Sequence, residues 1–217
     1  MSLGATIARA VQAGAQVEVL TAFAYIPSSS APTGPWDSLC GYVTEGQAAK
    51  ARREEDHRAC LALGAQPRWL HFGAEPYERR GTEDDIWSAV TAVTRGADAV
   101  LIPGFPLTHP DHAFLSELLL RKGLNCPQQA LYAEQPYMYM RGRQPPGSVI
   151  VEALARLIGA PLVWTPMQAE RSHRRAKLKA VRSYRSQLRH LGLGRLGLHR
   201  MLWREAAQGG EVVAWLS

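Results

Sequence analysis

Four short stretches that read as strands, most of them followed by helical periodicity, constrain the fold of this chain more than any other feature. "QVEVLTAFA" (16–24), "RWLHF" (68–72), "DAVLIP" (98–103) and "QQALYAE" (128–134) read as strands. The apolar residues of the first are nearly continuous, as in a strand buried on both faces, the usual condition of a parallel sheet. Between them lie helical segments: residues 4–13 closed by Gly14, "EGQAAKARREEDHRACLALG" (45–64), residues 83–94 with Thr82 as N-cap, and a helix starting at "THPDH". The alternation predicts an α/β fold of parallel βαβ units with helices on both faces. Further on, "PYMYMRGRQPPG" (136–147) reads as a loop and residues 149–158 as a short helix or an irregular crossover. A long basic helix then leads to "GEVVAWLS" (210–217), expected as an edge strand.

At 217 residues and 46% hydrophobic composition the chain can build one core, and a single domain over residues 1–217 is expected. The most apolar segment, "SVIVEALARLIGAPLVW", is interrupted by Glu152 and Arg156, so no membrane span is expected. The first residues show no basic region ahead of an apolar stretch, which does not match a secretion signal. Three cysteines, Cys40, Cys60 and Cys126, lack metal-type spacing and suit a reducing compartment, so a cytoplasmic protein is expected.

The net charge of +6 is unevenly placed: residues 171–204 hold eleven Lys and Arg and no acidic residue, leaving fourteen basic against nineteen acidic residues elsewhere. Leu178, Val181, Tyr184, Leu188 and Leu191 recur there at helical spacing, so one face should pack while the cations on the other are solvated. A phosphate-bearing partner such as nucleic acid is the less favoured alternative. The Pro-, Ser- and Gly-rich stretch 26–46 exceeds an ordinary connection and is a candidate binding loop.

Behind the strand "DAVLIP", the motif "THPDH" (108–112) gathers His109, Asp111 and His112 at a strand-to-helix junction, where α/β proteins keep their chemistry. Pro110 suits the first helical turn, because its missing N–H would have had no partner there. An Asp beside two imidazoles can set a ring tautomer. One imidazole could then bind zinc while the other donates to an oxyanion or a leaving amine. The same four residues could equally form a hydrogen-bonded helix cap.

Five segments in order resemble the PIG-L/LmbE-like zinc-dependent de-N-acetylases: "SLGATIARAVQAGAQVEVLTAFA", "RREEDHRACLALGA", "THPDH", "YAEQPY" and "KLKAVRSYRSQ". The resemblance implies a Rossmann-like fold, with mainly parallel sheet and helices on both faces, that removes an N-acetyl group from an amino-sugar conjugate such as an N-acetylglucosaminide. It implies that His112 is a metal ligand for zinc, that His109 serves the oxyanion or the amine, that Asp111 orients an imidazole, and that Arg52 contacts substrate. For Arg52, an i,i+3 surface pair with Glu55 is the plainer alternative.

One departure matters. The family's His-x-Asp-Asp motif, which supplies two further zinc ligands and the general base after a first strand, occurs nowhere in the sequence. Asp84 and Asp85 of "TEDDIW" read instead as charges complementing a helix N-terminus. Of the loop "HFGAEPY", only Glu75 could replace an acid expected there. We therefore expect the first strand to be missing and the catalytic power to be impaired, either because translation starts upstream or because the metal site was discarded. An unpaired edge left by that strand would favour a homo-oligomer. The alternative from another class is a non-catalytic sugar- or phosphate-binding module using the basic helix.

Overall fold

The computed structural model describes residues 2–216 apart from 29, 76 and 142–148. In chain order the elements are α1 (Gly4–Gln12), β1 (Glu18–Thr21), α2 (Pro35–Leu39), α3 (Glu45–Leu63), β2 (Gln66–Trp69), α4 (Glu83–Thr94), β3 (Ala99–Phe105) and α5 (Pro110–Lys122). They continue with β4 (Gln128–Ala133), α6 (Tyr137–Arg141), α7 (Val149–Ile158), β5 (Trp164–Met167), α8 (Arg171–Val181), α9 (Arg185–His190), α10 (Arg195–Ala207) and β6 (Glu211–Leu216). The fold is α/β, as the strand–helix alternation predicts, with parallel pairing of β1 with β2 and of β3 with β4. No helix among the described residues is long and apolar enough to cross a membrane.

Two compact units are interleaved along the chain, one formed by Gly4–Arg80 and Ala169–Trp203, the other by Met1–Leu3, Gly81–Gln168 and Arg204–Ser217. In the first, β1 and β2 pair in parallel from Glu18↔Gln66 to Thr21↔Trp69. Thr44 caps α3 by accepting the Gln47 N–H at 3.3 Å, and Gly64 ends it at φ 74°, a left-handed position that favours glycine. Helix α8 packs on α1 and α3 through His173, Lys177, Ala180 and Val181, one stripe at helical spacing. The approach to α1 is close enough that a Cβ at Gly4 would lie 2.8 Å from the Lys177 Cγ. Arg174, Arg175, Lys179 and Arg182 remain exposed, so the basic segment presents the solvated face expected of it.

The second unit holds a four-stranded sheet of order β3-β4-β6-β5. β3 and β4 are parallel, whereas β6 runs antiparallel to both β4 and β5. The last strand is therefore interior rather than an edge, with Val213 and Ala214 fully buried. The strand that displaces it from the edge, β5, escapes sequence reading because its residues "WTPM" carry a Pro and little apolar pattern. Among the described residues, β1 has β2 and β3 has β4 as sole ladder partner.

Three further expectations change. The long basic helix is broken into α8, α9 and α10, with turns at Ser183–Tyr184 and at Gly192, whose φ is 67°. Residues 149–158 form a regular helix. Of the expected loop 136–147, Tyr137–Arg141 are helical and residues 142–147 lie outside the described residues.

Candidate active site

Parallel pairing of β3 with β4 brings together residues far apart in sequence. Phe105 stands opposite Ala133 in the register, so whatever follows each strand emerges at the same edge of the sheet. The Glu134 N–H donates to the Phe105 carbonyl at 2.5 Å, which fixes the first residue beyond β4 against the last of β3. Helix α5 is tied down behind this edge by Ser116, fully buried, whose hydroxyl donates to the Pro103 carbonyl at 2.5 Å.

His109 is the N-cap of α5, and its Nδ1 accepts the Asp111 N–H at 3.2 Å. An Nδ1 that accepts carries no proton, so the neutral ring holds its proton on Nε2. The buried Asp111 carboxylate lies 3.8 Å from the same Nδ1, so it acts on His109 through its charge while the main-chain N–H makes the hydrogen bond. One turn on, the His112 ring stacks at 5.1 Å and 36° on that of His109 and meets Tyr137 edge-on at 6.5 Å. The three motif residues thus cluster, and His109 makes the motif a helix cap.

Glu134 is the residue that sequence reading passed over. Its side chain is 1% exposed, and Oε2 lies 3.2 Å from His112 Nδ1. The direction of approach misses a hydrogen bond, so the buried Nδ1 and both carboxylate oxygens have no hydrogen-bond partner among the described residues. Burial, and secondarily the charge of Glu134, push the Tyr132 and Tyr137 hydroxyls above the ordinary phenol range. The available signals were its position, an acid directly after a strand that neighbours the motif-bearing one, and its place in the "YAEQPY" segment.

A buried, unsatisfied carboxylate behind a half-exposed imidazole fits the surroundings of a metal-binding histidine, in which an acid backs the ring nitrogen opposite the metal. The donor set is incomplete: no group of three His, Cys, Asp or Glu able to hold a metal occurs among the described residues. Of the acids considered for that role, Asp85 caps α4 together with Thr82, Asp84 pairs with Lys122, and Glu75 lies 3.5 Å from Arg79.

In the other unit, Arg52 does not pair with Glu55. Its guanidinium binds the buried Asp37 of α2, which also accepts the Tyr77 hydroxyl at 2.7 Å, and Tyr77 in turn accepts the Gly34 N–H at 2.8 Å. The stretch 26–46 is thereby clamped onto α3. Glu55 instead accepts from Ser186, and Asp56 accepts the Tyr184 hydroxyl at 2.9 Å. A cavity of ≈ 380 Å³ borders Glu55 and Ser186, lined also by Cys40, Tyr42, Arg185 and His190.

The profile of the family described as PIG-L, GlcNAc-PI de-N-acetylase, matches residues 1–121. No curated protein sequence matches the chain. Among solved structures, the A40926 pseudoaglycone deacetylase Dbv21 is similar at TM-score 0.75 and 23% identity, over 99% of this chain and 90% of that one. The zinc-inhibited form of teicoplanin deacetylase Orf2 is similar at TM-score 0.75 and 21% identity, over 99% of this chain and 92% of that one. GalB, a 4-carboxy-2-hydroxymuconate hydratase from Pseudomonas putida, is similar at TM-score 0.59 and 18% identity, over 98% and 88%. At these identities the structural likeness establishes the fold, and a hydratase among the matches means that the reaction must be argued from the site.

Proposed function

Because the chain belongs to the PIG-L (GlcNAc-PI de-N-acetylase) family, we propose that it is an N-deacetylase of amino-sugar conjugates whose chemistry is centred on His112 and His109. The observation that carries this reading is the buried Glu134 carboxylate behind the half-exposed His112 ring, at the edge where β3 and β4 end. His112 would hold a zinc ion, which when bound supplies a Lewis acid for the amide carbonyl. His109, its proton on Nε2, donates to the oxygen that gains charge or to the departing amine. Asp111 steadies that ring through its main-chain N–H and its nearby charge. Arg52 serves substrate binding through the loop it clamps, by holding Asp37 in place.

Two metal ligands and a general base of the His-x-Asp-Asp type are not supplied by the described residues, so we propose that these 217 residues alone turn over slowly. The test is acetate release from N-acetylglucosaminides with added zinc. The expected result is weak, zinc-dependent turnover that His112→Ala abolishes. Turnover indifferent to zinc or to His112→Ala would overturn the site, and turnover at ordinary enzymatic rates would overturn the impairment.

The exposed Arg174, Arg175, Lys179 and Arg182 of α8 favour a second reading, a module that binds phosphate groups or nucleic acid. Salt-dependent binding to DNA or RNA, weakened by Arg175→Glu with Arg182→Glu, would support it, and indifference at low salt would remove it.

A further inference from the structure

We infer that Glu134 is a positioning residue that sets the tautomer of His112, taking the Nδ1 proton and leaving the Nε2 lone pair free for a metal ion. The inference rests on the reading of His112 as a zinc ligand. A neutral imidazole has one N–H to place. On Nδ1 it sets a donor 3.2 Å from a carboxylate oxygen, matching in charge two buried atoms that otherwise lack partners. On Nε2 it would leave a nitrogen lone pair facing a buried anion, two acceptors opposed in a region with little water.

The backbone holds both partners in place. Glu134 is fixed by its N–H on the Phe105 carbonyl, and His112 by its N–H on the His109 carbonyl at 3.1 Å. The His112 ring lies against the rings of His109 at 5.1 Å and Tyr137 at 6.5 Å, with its Nδ1 turned to the Glu134 carboxylate. His109 is set the other way, because its Nδ1 accepts the Asp111 N–H. Two stacked imidazoles therefore carry opposite tautomers: His109 offers a proton at Nε2, and His112 offers a lone pair at Nε2. One helix start thereby presents a proton donor and a Lewis base side by side, and Glu134 is what distinguishes them.

The experiment is nitrogen-resolved NMR of the histidine side chains in the metal-free 217-residue chain, at a pH where the rings are neutral. His112 is expected with Nδ1 protonated and Nε2 bare, and His109 with the reverse. In Glu134→Leu, His112 should shift to Nε2–H or to an averaged state while His109 keeps its pattern. Glu134→Gln, whose amide oxygen can accept the same N–H, should retain the original assignment. Added zinc should perturb the His112 Nε2 resonance in the unmodified chain and perturb it less in Glu134→Leu. An Nε2-protonated His112 in the unmodified chain would overturn the inference, and so would a tautomer unchanged in Glu134→Leu. Should that variant not fold, Glu134→Met makes the comparison and the unmodified chain alone can still refute. A correct tautomer with His112 resonances untouched by zinc would leave Glu134 its role and overturn the zinc reading instead.

Discussion

Ser186 gives both of its donors to one carboxylate: its main-chain N–H reaches Glu55 Oε1 at 2.9 Å and its hydroxyl reaches Oε2 at 2.8 Å. The acid belongs to the Arg52-x-x-Glu55 segment of α3, the donors to the Tyr184-x-Ser186-Gln187 segment that opens α9. Two patterns recognisable separately in sequence are thus two halves of one hydrogen-bonded lock.

Glu55 is buried, so a change that leaves it a poorer acceptor should register in stability. Glu55→Gln turns an amide NH2 toward one of the two donors and should cost about 1–3 kcal/mol. Ser186→Ala removes one bond and keeps the other, with a smaller expected loss of about 1 kcal/mol. Denaturant unfolding of the three proteins measures both. Equal stability of Glu55→Gln and the parent would show that the lock does not hold the two segments together.

Next to it, the half-buried Asp56 accepts from Tyr184 at 2.9 Å and from Thr21 at 3.3 Å. Burial raises its carboxyl above the usual carboxylate range, and the hydrogen bonds from Tyr184 and Thr21 oppose that rise. A raised folded-state value means that the native state binds more protons than the unfolded one above pH 3.8, so this group's contribution to stability falls as pH climbs through its folded value. Tyr184→Phe removes a donor to the ionised form and raises that value further. Its cost should therefore be largest at neutral pH and shrink on acidification. Unfolding measured from pH 7 to pH 4 decides it, and a penalty that stays constant or grows toward acid would contradict the assignment.

Much of the fold and part of the site could be read from the residues, and the division has physical causes. Thr82 and residues 83–94 are a cap and helix as expected, because capping is local chemistry written within four residues. His109, Asp111 and His112 are contiguous, so their clustering needs only a helix start. Glu134 joins them through strand register, a long-range property that composition does not encode. The split of the basic helix at Tyr184 is equally non-local, since it serves Asp56 and Glu55 on α3. Asp37 and Tyr77, which redirect Arg52, lie on segments without periodicity.

That redirection of Arg52 can be tested apart from catalysis. If its main task is to neutralise the buried Asp37, Arg52→Ala should destabilise the protein by about 1–3 kcal/mol by leaving an acceptor under-satisfied. Arg52→Ala and Asp37→Ala should then couple strongly in a double-mutant cycle. A side chain reserved for substrate would lower affinity without moving the unfolding midpoint, and additive effects in the cycle would indicate that role.

Cys60 offers a check on packing at alkaline pH. It is 3% exposed, and burial, with the charge of Asp56 secondary, pushes its thiol from 9.0 up to about 11. The folded chain should leave Cys60 unlabelled by iodoacetamide at pH 8, whereas denaturant should make it reactive, because the thiolate is the nucleophile. The same shift has a stability consequence. Between the unfolded value and about 11 the native state binds the extra proton, so the thiol's contribution is lost as pH rises through that interval. Relative to the parent, Cys60→Ala should lose stability from its small cavity at pH 8 and recover part of the difference by pH 10. Rapid labelling of the native chain at pH 8, or a difference independent of pH, would place the thiol outside the packed side of α3.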